Sequence, residues 1–75
     1  MKNLKIEEMY AFVATDKDGE GVIGMQMPDG AWMPFVGADM ERVESLKKMA
    51  KQIGRASHKK ITLLKFTNRE TVEEF

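Results

Sequence analysis

The sequence predicts a small α+β domain of order β-β-β-α-β, a small antiparallel-rich sheet with one amphipathic helix packed on one face. Three observations predict it. Segments 8–15, 22–27 and 31–36 are rich in strand formers and are separated by Asp/Gly-dense and Pro-Asp-Gly turn signals. Residues 39–56 place apolar side chains at helical spacing. Residues 61–67 return to strand composition. At 75 residues the chain is one domain, 1–75.

Glu8–Thr15 carries Tyr10, Phe12 and Ala14 on one face and Met9, Ala11 and Val13 on the other. Both faces are apolar, which predicts a strand covered on both sides. In a one-helix domain a partner chain is a natural cover for the second face. Asp16-Lys17-Asp18-Gly19-Glu20-Gly21 reads as a turn, because Asp bonds its own backbone and Gly accepts positive φ. In Val22–Met27, Ile23, Met25 and Met27 share a face, and Gly24 marks a bulge or a close backbone approach. Pro28-Asp29-Gly30 is the next turn. Pro34 cannot donate to a ladder, so the strand Ala31–Val36 is expected at a sheet edge.

Asp39 is the expected helix N-cap, with Glu41 suited to the first turn. Val43, Leu46, Met49, Ala50 and Ile53 form one stripe, the expected core face. Glu44 and Lys48 have the spacing of an exposed i,i+4 pair. The helix ends at Gly54 or runs to about Ser57. In the last strand Leu64 and Phe66 share one face, Ile61 and Leu63 the other. Thr67-Asn68-Arg69-Glu70 has capping-box spacing, which predicts a short helical turn through Val72 and Phe75. With the last strand beside the first, the first is central, as its two apolar faces require.

Composition excludes several classes. With no cysteine the chain is neither a disulfide scaffold nor a Cys-ligated metal module. Apolar content is 43% and net charge zero, which describes a globular chain. No apolar run reaches the ~18 residues of a membrane span. The first eight residues contain no signal-peptide core, so a cytoplasmic location is expected. A core this small rarely gives more than about 3–5 kcal/mol, so either its packing is efficient or a partner chain adds burial. Seven methionines read mainly as gap-fillers in that core, with an adaptable contact surface as the sharper reading.

No constellation carries catalysis. Ser45 and Ser57 lack a glycine-flanked elbow, and His58 sits in an exposed Ser-His-Lys-Lys run with no positioning group. No phosphate-binding or dinucleotide motif is present. Asp16, Asp18, Glu20, Gly21 and Ile23 fit positions 1, 3, 5, 6 and 8 of a calcium loop, but Met27 stands where a bidentate Glu is required. The stretch reads as a solvated hairpin turn, and no metal or cofactor is expected.

Charge is segregated along the chain. Residues 1–44 carry a net −5, the interval from Lys47 to Arg69 holds eight cations and no acid, and the tail returns −3. Lys47, Lys48, Lys51, Arg55, Lys59 and Lys60 predict a basic ridge for phosphates or an acidic protein, or else a solvated face. No aromatic is interleaved in 45–60, so base stacking there has no support. Asp16, Asp18 and Glu20 lead an acidic counterpart suited to imitating a phosphate backbone or to docking on a basic protein groove. Trp32 and Tyr10 are the remaining markers; a tryptophan in so small a domain is expected in the core, and when exposed it is an interface anchor.

The stretch Asp29-Gly30-Ala31-Trp32-Met33-Pro34-Phe35-Val36-Gly37-Ala38-Asp39, with Arg42-Val43-Glu44-Ser45-Leu46 and Ile61-Thr62-Leu63-Leu64-Lys65-Phe66, resembles short proteins encoded by bacteriophages and prophages. The resemblance covers most of the chain and brings no catalytic motif. It implies a protein that binds and inhibits a host factor, of the anti-CRISPR or anti-defence type. The expectation is a non-enzymatic protein acting by protein–protein contact on a host or defence factor, self-associating through the sheet or the methionine-rich face. The alternatives are a nucleic-acid-associated module using the 47–60 segment, and a small-ligand sponge at a dimer interface.

Overall fold

A computed structural model describes residues 6–75; Lys2 and Lys5 of the acidic front lie outside them. The elements are β1 (Met9–Asp16), β2 (Gly19–Val22), β3 (Gly24–Gln26), β4 (Trp32–Pro34), β5 (Val36–Gly37), α1 (Met40–Ser57) and β6 (Lys60–Phe66). The small α+β class and the single helix are as the sequence predicts.

β1 is central. β6 pairs antiparallel along one side of it, from Met9↔Phe66 to Thr15↔Lys60. The other side is shared: β2 pairs with its C-terminal half and β5 with Tyr10 and Ala11. β3 and β4 leave this sheet and form a ribbon of their own. The expected strands 22–27 and 31–36 are therefore each divided, at Ile23 and at Phe35.

The division has a hydrogen-bonded hub. Phe12 N–H donates to the Phe35 carbonyl (3.1 Å), Phe35 N–H to the Ile23 carbonyl (2.8 Å), and Ile23 N–H to the Phe12 carbonyl (3.0 Å). Three strands thus meet in a closed triangle that leaves none of these backbone groups unpaired. All three side chains point into the core, where the Phe12 and Phe35 rings pack edge-to-face at 6.4 Å. Gly24 lets the chain turn away here. A Cβ there would lie 2.6 Å from the Met33 carbonyl oxygen and 2.8 Å from the Trp32 ring. Pro34 falls on β4, which pairs with β3 alone, so its missing N–H costs no ladder bond.

The second strand begins at Gly19, three residues earlier than expected, because the turn is only Lys17–Asp18. Asp16 accepts from the Asp18 N–H at 2.8 Å, and Gly19 takes φ 125° so that both turn residues keep negative φ. At the second turn Gly30 N–H donates to the Met27 carbonyl, with Pro28 presetting the bend.

Asp39 caps α1 by accepting from the Arg42 N–H at 2.9 Å. Val43, Leu46 and Ala50 are buried, and Met49 and Ile53 pack beside them. The helix passes Gly54 and ends at His58, a non-glycine residue in the left-handed region (φ 58°). Gly54 is needed inside the helix because a Cβ there would press on Ile61 at 2.8 Å. The expected Glu44–Lys48 pair is replaced by Glu44–Lys47 at 2.9 Å. The expected C-terminal turn is absent: residues 67–75 form neither helix nor strand, and Val72 and Phe75 are exposed. One helical turn without an apolar surface to pack on does not offset its nucleation cost.

Candidate functional site

The described residues form a groove of about 480 Å³ beside the β1–β2 hairpin. It exists because side chains are missing. By register Ala14 faces Gly21, and Asp16 faces Gly19, on the helix side of the sheet. A Cβ built on Gly19 or Gly21 would meet nothing within 4 Å. The floor is therefore largely backbone. Trp32 forms one wall, the end of α1 (Ile53, Ser57) another, and Asp16, Asp18 and Lys59 stand at the mouth. The volume lies within the ~300–1,000 Å³ of ordinary ligand sites.

Trp32 corrects the expectation of a core tryptophan: it is 62% exposed. The core closes without it, since Phe35, Leu46 and Val43 fill the interior and the ring lies over Gly24 at the ribbon edge. An exposed indole over a glycine backbone offers an apolar face to an incoming group.

The electrostatics of the groove are negative. Asp16 pairs with Lys59 at 3.5 Å, while Asp18 has no ion-pair partner among the described residues. The last turn of α1 brings the negative end of its dipole to the same place. β2 pairs with β1 alone, so its other edge presents free backbone donors and acceptors along the groove.

The structure thus gathers Trp32, Asp16, Asp18 and Lys59 at one site; Glu20 borders the groove on β2, but its register opposite Thr15 turns its side chain to the face away from the helix. It leaves the other expected residues elsewhere. Tyr10 lies toward the opposite end of β1, its hydroxyl donating to Glu8 at 2.9 Å, with Lys65 pairing Glu8 at 3.3 Å. The Tyr10 hydrogen bond, with Lys65 adding to it, lowers the Glu8 pKa; the same bond raises that of Tyr10. Lys47, Lys48, Lys51 and Arg55 lie on α1, where Lys47 is neutralised by Glu44. Lys60 belongs to the face of the sheet turned away from the helix.

The calcium-loop spacing is a β-hairpin here, and no three His, Cys, Asp or Glu side chains converge among the described residues. The hydroxyls of Ser45 and Ser57 donate to helix carbonyls. His58 ends the helix. What sequence reasoning missed are Ala14, Gly19 and Gly21, which vacate the groove. The signal was there: glycines at 19 and 21, two apart in a strand, strip one face of side chains.

Comparison with protein-family models, with characterised proteins and with solved structures finds no match. The site therefore rests on its own geometry. No helix among the described residues is long and apolar enough to cross a membrane.

Proposed function

We propose that this chain is a non-enzymatic binding protein that docks an extended, cationic segment of another protein in the groove beside Trp32. The observation that carries the reading is the convergence of a free strand edge, a floor without side chains and the exposed tryptophan. The β2 edge would take the segment as an added strand, with main-chain hydrogen bonds supplying affinity. The acidic mouth would steer it in, and the indole would hold an apolar side chain or a lysine or arginine head by cation–π contact. The resemblance to phage-encoded proteins implies a host or defence factor as the owner of that segment. The effect on the partner would be occlusion.

The test uses the full chain and its own fluorophore, since Trp32 is the single tryptophan. Titration with an alternating Lys–Val peptide is expected to shift Trp32 emission to the blue, and a Glu–Val peptide of equal length is expected to leave it unchanged. Gly21→Leu, placed in open space, is expected to weaken binding by about tenfold. No shift with the cationic peptide, or equal shifts with both, overturns the proposal.

A second reading has one observation of its own. Lys48, Lys51 and Arg55 have no ion-pair partner among the described residues and share one side of α1. Nonspecific duplex DNA measured at two salt concentrations tests it; no binding even at low salt eliminates it.

A further inference from the structure

The face of the sheet opposite α1 is apolar, and no helix or strand packs over it among the described residues. Register sets its side chains in rows across three strands. Val22, Val13 and Thr62 form one row; Val36, Ala11 and Leu64 the next; Met9 and Phe66 the last. A fourth row, at the hairpin end, is charged: Glu20, Thr15 and Lys60. Val22 is 48%, Phe66 51% and Met9 37% exposed, while the central Ala11 and Val13 are already buried in the single chain. With strands ~4.8 Å apart and rows ~6.8 Å apart the patch spans roughly 14 by 20 Å. That approaches the largest apolar patches that monomers leave open.

We propose that this face pairs with a second copy of the chain, sheet on sheet, about a two-fold axis running along β1. The charged row selects the occupant. Glu20 stands on one lateral edge and Lys60 on the other, at the same height, with β1 between them and no ion pair joining them. Rotation about an axis along β1 keeps each row at its height and exchanges the edges. Glu20 then meets the partner copy's Lys60, and Lys60 its Glu20. A two-fold across the strands would instead lay the charged row on the partner's Met9 and Phe66.

The shape agrees with the charge. Ala11 and Val13 fall on the axis, where small side chains let two sheets reach their ~10 Å packing distance. Leu64 falls over the partner's Val36. Phe66 falls where the partner's β5 has already ended at Gly37, which leaves room for the ring. The interface is isologous, and at about 300 Å² per copy it is smaller than a standard specific interface, so weak association, in the hundreds of micromolar, is expected.

Sedimentation of the full chain from about ten to several hundred micromolar is expected to show conversion of the 8.6 kDa monomer to a dimer. Glu20→Lys alone and Lys60→Glu alone each set like charges opposite each other twice, and each is expected to weaken association at least about tenfold. The diagnostic sample is the equimolar mixture of these two variants. One copy then offers two lysines and the other two glutamates, so a mixed dimer is expected to form as readily as the wild type. Circular dichroism confirms that each variant is folded, and Leu64→Lys is a second way to break the apolar rows. A chain that stays monomeric throughout overturns the proposal. So does a dimer that survives both charge reversals, which would place the contact at the β6 edge or the groove. Lys60 does not line the groove, so the effect of Lys60→Glu separates this interface from peptide docking.

Discussion

On the side of β1 that carries Phe12, three elements close over the sheet: α1, the β3–β4 ribbon and the chain through Phe35. On the side that carries Ala11 and Val13 no helix or further strand does so among the described residues; those two are buried, and the apolar side chains left exposed around them are Val22, Met9 and Phe66. Along one strand the chain layers a helix over one face and leaves exposed apolar side chains around the other. Apolar pattern records that a face is to be buried; it does not record by what. The covered face also shows its demand for shape, with an edge-to-face ring pair and a fully buried Phe35, Val43 and Leu46.

The largest test of this contrast is a pair of truncations. Phe35→Ala in the covered core is expected to cost about 3–5 kcal/mol. A domain of this size has about that much stability in all, so the variant is expected to be largely unfolded at 25 °C. Leu64→Ala on the open face, half-buried in the monomer, is expected to cost the dilute protein under about 1 kcal/mol. Urea melts at low concentration check both, and equal losses would erase the distinction between the faces.

Two glycines sharpen it next. Gly24→Ala forces a methyl against the Met33 carbonyl oxygen and the Trp32 ring and is expected to cost about 1–3 kcal/mol. Gly21→Ala adds a methyl in open space on a strand and is expected to be neutral or stabilising by up to about 1 kcal/mol. The same substitution three residues apart thus separates packed backbone from vacant groove, with thermal unfolding as the measurement.

The smallest effect is electrostatic. Tyr10 and Lys65 hold the Glu8 pKa below its usual value. A carboxylate depressed in the folded state contributes stability that is present above its unfolded pKa and lost as pH falls through the folded value. Tyr10→Phe removes the larger cause, so the Glu8 carboxyl is expected to titrate at higher pH in a carbon-13 NMR titration, with a smaller acid-side loss of stability. An unchanged titration would show that Lys65 alone sets it.

Much of the fold was legible because local rules and tertiary packing agree. Asp39 caps the helix it was expected to cap, the Val43–Ile53 stripe faces the core, and β1 is central as its two apolar faces demand. The partition of strands at Ile23 and Phe35 was not legible. Which partner each strand half takes depends on three chains meeting, and no single segment contains that information. Gly24 gave a hint of close approach without saying to what. The C-terminal turn failed for the opposite reason: a local signal at Thr67–Glu70 had no surface to fold against. Of the site, the acids and Trp32 were visible as residue types, but their convergence was not. The groove is made by what Gly19 and Gly21 lack.

The triangle of Phe12, Ile23 and Phe35 also fixes how the chain can change in length. The turns at Lys17–Asp18 and Met27–Ala31 lie at hairpin tips, where an added residue loops out into solvent. Between Val22 and Gly24, and between Pro34 and Val36, one residue serves as the whole joint. An insertion or deletion there turns every following side chain of the strand to the wrong face. It would send Met25 or Val36 where the other face needs its opposite. The hub thus works as a counting frame: variation is admitted at the loops and refused at three residues in the middle of the sheet.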